Sequence, residues 1–441
     1  MEKREKRFEK LYIGIVFVLL FIWSVSARAA TGPDETMKYD VCRYIAVNGR
    51  LPHGGDPSIR HGIWGTSYGF TPLLSYIVSA VFLKIANLFT EDAHILYIAL
   101  RFTSVLCITG MTALVIRIGH LLFEKRNSRW LFILLATLLP QVLYLGSYLN
   151  NDSFALFTIS IIIYAWIKGI RSQWNVQSCI LLAVGIGLCA LSYYNAYGYI
   201  LCSIPLFFLS WQKTQKGGTA VENRKADMTR MWKMAGLIAG IAFLIAGWWF
   251  IRNAVIYQGD FLGLKTSNEY AEKYAQTDFK PSLRPNPNHL GWSFYEMLIS
   301  NCWIKVSMTS FVGLLGTEGL PMLGKVYRAI WAVILLGYAG MVVRMIKREK
   351  PRESRLFSVI FSLSIVIPIL LSFYHSYWID FQPQGRYLMP MLIPFMYFSV
   401  TGLEYLFEKL PTKVKWIPYI VIDAGIAISA LICLKEVQAV I

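Results

Sequence analysis

Charge is scarce in this 441-residue chain: 16% of its residues are Asp, Glu, Lys or Arg, against 56% hydrophobic. A soluble globular chain carries about 25% charged residues, so that class is excluded. The seven cysteines (Cys42, Cys107, Cys179, Cys189, Cys202, Cys302 and Cys433) include no CxxC pair, and most lie within apolar runs as small hydrophobes. Neither a disulfide framework nor a zinc site is expected. His53 and His61 flank a glycine-rich stretch, but no carboxylate cluster accompanies them, so no metal is assigned. There is no internal repeat of the kind that builds many transporters. The net charge of +17 would suit nucleic acid, yet the basic residues fall in short clusters between apolar runs, where a bilayer explains them and no nucleic acid is required.

What the chain does have is apolar runs of about 17 to 25 residues, each able to cross ~30 Å of hydrocarbon. Spans are predicted at Leu11–Ala27, Arg101–Phe123, Trp130–Ser147, Asp152–Trp166, Gln177–Leu191, Ala196–Trp211, Met234–Ile251, Met322–Val343, Leu356–Phe373, Gly385–Leu406 and Trp416–Leu434. The fold class is therefore an all-α polytopic membrane protein of about 11 transmembrane helices, forming a single integral membrane domain over residues 1–441. Ser26-Ala27-Arg28-Ala29-Ala30 superficially resembles a signal cleavage site, but the many later runs make the first segment a span.

The run Phe70–Phe89 decides the sidedness. If it does not cross, 26 of the 43 Lys and Arg residues are cytoplasmic: the amino-terminal group, Arg117/Lys125/Arg126/Arg129, Lys168/Arg171, Lys213/Lys216/Arg224/Lys225/Arg230/Lys233, Arg344/Lys347/Arg348/Lys350/Arg352/Arg355 and Lys409/Lys413/Lys415. If it crosses, 21 of them move outside, against the positive-inside bias. It is thus expected to be a re-entrant or interfacial helical element, with the amino terminus cytoplasmic. The outer face then collects two long pieces, residues 28–100 and 252–321, together with the turns near Asn151 and Tyr193 and the loop His375–Gln384. Trp292–Leu315 is expected to be a further interfacial helix.

Within the first outer piece, Met37, Val41, Tyr44 and Ile45 recur at helical spacing, opposite Lys38, Asp40, Arg43 and Asn48, and Asn48-Gly49 followed by Pro52 ends that helix. Ahead of it stand two adjacent acids, Asp34 and Glu35. Pro33-Asp34-Glu35, the helix ending in Asn48-Gly49-Arg50-Leu51-Pro52, and Thr71-Pro72-Leu73-Leu74 together resemble the C-type (GT-C) membrane glycosyltransferases that use polyprenyl-phosphate sugars, the superfamily of the protein O-mannosyltransferases. Arg101, Ser147-Tyr148-Leu149-Asn150-Asn151-Asp152-Ser153, Gly247-Trp248-Trp249-Phe250-Ile251-Arg252-Asn253 and Gln384-Gly385-Arg386-Tyr387-Leu388 resemble stretches in bacterial members. Lys38 departs from the histidine or aromatic residue often found there, and Thr71 from a second proline.

The resemblance implies inverting hexosyl or pentosyl transfer on the outer face of the cell membrane, from a polyprenyl-phosphate donor to a glycan, lipid or protein acceptor, with a carboxylate near Asp34 as base. Chemistry alone supports this independently: such a transfer needs a base for the acceptor hydroxyl and cations for the departing phosphate, so one carboxylate suffices. Asp34 is the candidate base, with Glu35 orienting it or holding an arginine. Arg101, Arg252 and Arg386 are candidates for the phosphate, supported by Asn151, Asp152 and Gln384. Competing roles are a helix cap for Asp34, with Thr31 at capping-box spacing, and interfacial anchors for the arginines. The alternative function is a transporter or a lipid-linked-glycan flippase, which would place ionisable residues mid-span rather than at one face. A non-catalytic envelope scaffold would leave the adjacent acids unexplained.

Overall fold

The computed structural model describes residues 2–214, 221–315, 320–321, 324–349 and 353–440. Lys216, Lys350 and Arg352 of the basic clusters, and Met322 at the start of a predicted span, lie outside them. The chain is built from α1 (Glu2–Ser26), α2 (Glu35–Asn48), α3 (Leu74–Ala86), α4 (Ala93–Leu122), α5 (Arg126–Thr137), α6 (Pro140–Leu145), α7 (Asp152–Arg171), α8 (Val176–Ala190), α9 (Gly198–Thr214), α10 (Val221–Ile256), α11 (Leu264–Tyr274), α12 (Trp303–Val312), α13 (Gly324–Ile346), α14 (Arg355–Trp378), α15 (Leu392–Phe407) and α16 (Ile417–Val440). A two-residue antiparallel pairing, Leu314–Leu315 with Leu320–Pro321, is the only strand pairing among the described residues. This is a multi-pass membrane protein.

Among the described residues seven helices are long and apolar enough to span a bilayer, fewer than the apolar runs suggest, and the reasons are local. The predicted span Trp130–Ser147 is two short helices, α5 and α6, because Pro140 opens a new helix and disfavours helical geometry in the residue before it. Almost every side chain of this stretch is buried, so it forms the centre of the bundle rather than a lipid-facing wall. The predicted span Gly385–Leu406 begins as a 3-10 turn over Gly385–Met391 before α15 starts. The expected helix Trp292–Leu315 is interrupted at Cys302, which stands at φ 60°, leaving a π-turn over Glu296–Ser300 and then α12.

Two further boundaries matter for the site. The α4 helix starts at Ala93, where the Asp92 carboxylate caps it by accepting from the Ile95 amide at 3.1 Å. Arg101 therefore lies two turns inside a helix rather than at its start. The α3 helix has 13 residues, about 20 Å of rise at 1.5 Å each, and so is too short for ~30 Å of hydrocarbon.

Between lipid-exposed helices hydrophobic burial offers little driving force, and close packing takes over. The α13–α15 contact shows it: a Cβ on Gly402 would lie 1.8 Å from the Gly337 carbonyl oxygen. One large core runs through α1, α4 to α7, α9 and α13 to α16. A smaller one, with Val41, Leu73, Tyr76, Leu100, Leu149 and Trp249, packs α2 and α3 against α4 and α10. At one end of the bundle the basic clusters meet acids, in Arg129–Glu5, Lys125–Glu408 and Arg171–Glu353. Asp34, Asp152 and Arg386 gather at the opposite end.

Candidate active site

The two adjacent acids do different things. Glu35 opens α2 and is wholly buried; its carboxylate accepts from Arg101 Nε and Nη2, both at 2.8 Å, from the Gly32 amide at 3.1 Å and from the Leu149 amide at 3.0 Å. Arg101 in turn donates through Nη1 to the Ser24 and Ala27 carbonyls, and through Nη2 to that of Arg28. All five guanidinium N–H groups are thereby used. This closed unit pins the end of α1, the start of α2, α4 and the turn before α7 to one another.

Asp34 precedes it in the left-handed region (φ 55°), a conformation that costs a non-glycine residue on the order of 1 kcal/mol and that Asp tolerates better than most. It stands at the N-cap position of α2 but makes no capping bond, and the Thr31 hydroxyl turns back to the Arg28 carbonyl. The capping box weighed as the competing role for Asp34 is absent, and the carboxylate turns into a cleft instead. There it accepts from the Tyr68 hydroxyl at 2.8 Å and lies 3.6 Å from Arg386 Nη2, with 34% of its side chain exposed. Burial alone would raise the Asp34 carboxyl, but the charges of Lys38 and Arg386 and the Tyr68 hydrogen bond hold it below the usual carboxylate range.

The cleft has a volume of about 260 Å³ and is lined by Asp34, Trp64, Tyr68, Ser267, Arg284, Asp380, Gln382, Arg386 and Tyr387 among others. A polar chain runs along it. Arg386 donates to the Tyr387 hydroxyl (3.1 Å), Tyr387 to Gln382 (2.5 Å), Gln382 to Asp380 (2.6 Å), and Asp380 pairs with Arg284 (3.2 Å). Arg386 Nε has no protein partner among the described residues. The arginine is placed by the 3-10 turn, which the Ser310 hydroxyl anchors by accepting from the Gly385 amide at 2.6 Å. Behind the cleft, Lys38 is buried between the rings of Tyr68 and Tyr148, and burial pushes its ammonium down to about 8 despite the attraction of Asp34. Asp152 at the start of α7 faces both Lys38 and Arg386 and leaves Oδ1 unpartnered. Asn151 beside it accepts from the Ser75 hydroxyl of α3.

A family model described as a predicted membrane protein, DUF2142, matches residues 58–396, well over half of the chain. The chain belongs to the DUF2142 family. The match begins after Asp34 and Lys38 and includes Arg386. No curated protein matches the sequence. Among solved structures, the chain is similar to the oligosaccharyltransferase of Archaeoglobus fulgidus tethered to an acceptor peptide containing the NVT sequon (TM-score 0.57, 15% identity, 98% of this chain and 56% of that one). It is similar to the same enzyme, AglB, in complex with an inhibitory peptide and a dolichol-phosphate (0.57, 13%, 98% and 56%). It is also similar to ArnT of Cupriavidus metallidurans bound to undecaprenyl phosphate (0.54, 11%, 97% and 75%). At these identities the likeness is one of fold, the GT-C type. The chain spans just over half the length of the archaeal enzyme.

Of the residues singled out in the sequence of this DUF2142 protein, Asp34 and Arg386 share the cleft and Asp152 lies behind it. Arg101 is committed to Glu35. Arg252, expected to join Arg386, instead donates to the Pro52 carbonyl at 2.7 Å and lies over the Trp249 ring, and does not line the cleft. The second arginine there is Arg284, from the long segment before α12. Gln384 is half-buried and sits at the cap of the 3-10 turn, where its carbonyl accepts from the Tyr387 amide at 3.2 Å, while Gln382 lines the cleft. Lys38, Tyr68, Arg284, Asp380, Gln382 and Tyr387 were missed as site residues. For Gln382 and Tyr387 the signal was proximity to Arg386, but Arg284 lies about a hundred residues away in a segment without periodicity.

Proposed function

We propose that this protein is an inverting membrane glycosyltransferase that moves a hexosyl or pentosyl group from a polyprenyl-phosphate donor to an acceptor hydroxyl of a glycan, lipid or protein. The observation that carries the reading is the division of labour between the acids. Glu35 is saturated by Arg101, Gly32 and Leu149, whereas Asp34 is ionised, partly exposed and 3.6 Å from a cation with unused donors.

In this reading the acceptor hydroxyl gives its proton to the Asp34 carboxylate as its oxygen bonds to the anomeric carbon. The bond from that carbon to the phosphate oxygen breaks on the opposite face, and its electron pair leaves with the lipid phosphate. Arg386 stabilises the departing charge, since guanidinium forks match phosphate oxygens. A low-pKa base still serves, because the hydroxyl acidifies as its new bond forms. A groove of about 470 Å³ between α8 and α10, lined entirely by apolar residues such as Ile186, Ala246 and Phe250, suits an isoprenoid tail. Its lining includes Ala190, three residues before Tyr193, which is a neighbour of Asp34 and Arg386.

The active site is assigned to the outer face, and the amino terminus to the cytoplasm, because the basic clusters share the opposite end of the bundle. Residues 1–441 are read as one integral membrane unit. The test is incubation of purified protein with a panel of polyprenyl-phosphate sugars, following release of the lipid phosphate. Sugar-dependent release that Asp34→Asn abolishes is the expected result. No release from any donor, together with lipid-linked-glycan flipping in vesicles, would overturn the reading.

A further inference from the structure

Lys38 is left without a task by the reaction as described. It lies one turn along α2 from Asp34, and its amide donates to the Asp34 carbonyl at 3.2 Å, so the two side chains share a face of the helix. The ammonium donates to the Pro33 carbonyl at 2.7 Å and stands 5.2 Å from the centre of the Tyr68 ring and 5.5 Å from that of Tyr148. Tyr68 is also the residue that holds the Asp34 carboxylate. Gly32 makes room for the other ring, because a Cβ there would lie 2.6 Å from Tyr148. The result is a lysine only 3% exposed, set behind the cleft rather than lining it.

A lysine is almost never this deeply buried without a compensating charge. The charged groups facing Lys38 are Asp34 and Glu35 from its own helix, Asp152 from α7 and Arg386 from the 3-10 turn; Tyr68 and Tyr148 are the other titratable neighbours. Glu35 is already matched by Arg101, and Arg386 repels. That leaves two carboxylates, Asp34 and Asp152, which Lys38 shares with Arg386.

We infer that Lys38 is a built-in counter-ion, a positioning residue shared by Asp34 and Asp152 that keeps the proposed base in its carboxylate form. This rests on the reading of Asp34 as the base, but it concerns a charge state that is measurable without any donor. Sequence alone presents Lys38 as a polar-face residue of an interfacial helix and as a departure from the histidine or aromatic residue often found there in the family that the chain resembles. Closure of Tyr68 and Tyr148 around it makes it part of the site.

The test uses the full-length protein in detergent, treated with dicyclohexylcarbodiimide, which modifies protonated carboxyl groups, across a series of pH values. Modification of Asp34 is read by peptide mass spectrometry. Lys38→Met and Lys38→Gln, the second retaining a donor for the Pro33 carbonyl, are expected to raise the pH at which Asp34 becomes protected by about one to three units. Lys38→Arg is expected to restore the wild-type profile. A wild-type profile in either neutral variant that unfolds cooperatively would overturn the inference, even if transfer is normal. Absence of transfer from every donor, with the profile shifted as expected, would remove the enzymatic reading and leave the counter-ion standing.

Discussion

Glu35 and Arg101 close on each other completely: two bonds of 2.8 Å join them, neither side chain is exposed, and no donor of the guanidinium is left over. The pair ties four segments together beside Asp34 while leaving Asp34 itself free for the cleft.

Breaking that pair from one side is expected to be severe. Arg101→Met or Glu35→Met strands a buried charge, at a cost of about 3 to 5 kcal/mol, and lowers the Tm of the purified protein sharply. The double variant is expected to regain part of the loss, since both charges then go together. Thermal unfolding of the three variants beside the wild type measures this, and equal destabilisation in the double variant would argue against it.

Asp34→Asn is expected to behave in the opposite way. The amide fits the left-handed conformation and still accepts from Tyr68, so Tm changes little. Turnover is expected to fall by on the order of 10²-fold or more, with donor binding retained. Rates and binding measured on the same preparation decide it.

Arg386→Lys keeps the charge but loses the planar fork that faces Asp34 and Tyr387. The expected outcome is a drop in kcat larger than any rise in KM, because the donor phosphate gains charge mainly as it departs. Near-normal kinetics would return this residue to the ordinary class of interfacial anchors.

The pH profile of transfer is expected to hold on the acid side until Asp34 protonates, below the usual carboxylate range. The sign follows from the charges of Lys38 and Arg386, which lower the carboxyl against the effect of burial, so the carboxylate is present above that point and lost below it. Lys38→Gln removes one of those charges, and its acid limb is expected to lie about one to three pH units higher. Measured kcat/KM against pH for both proteins checks this, and coincident acid limbs would count against Lys38.

Much of the architecture was legible because a bilayer imposes a one-dimensional rule: apolar runs become helices, and basic residues collect between them. The breaks inside those runs were harder to read. Pro140 divides a run that hydropathy treats as continuous, and the 3-10 turn carrying Arg386 looks from composition like the first turn of a span. The charge of Arg101 interrupts the apolar pattern and marks the start of a predicted span, yet the Asp92 cap starts that helix two turns earlier.

By itself the sequence determined the multi-pass helical class, the pair of acids after the first span and the choice of Arg386 as a cation to set beside them. The tertiary structure decided which acid is free and which cations answer it. Charge pairing at the site joins residues as distant as Glu35 and Arg101, or Arg284 and Asp380. Spacing along a chain carries no record of such partners. Burial then makes the difference, since a low-dielectric surrounding turns Glu35 into a structural tie, while Asp34 stays partly exposed in the cleft and a helix lysine enclosed behind it becomes one of its charged neighbours.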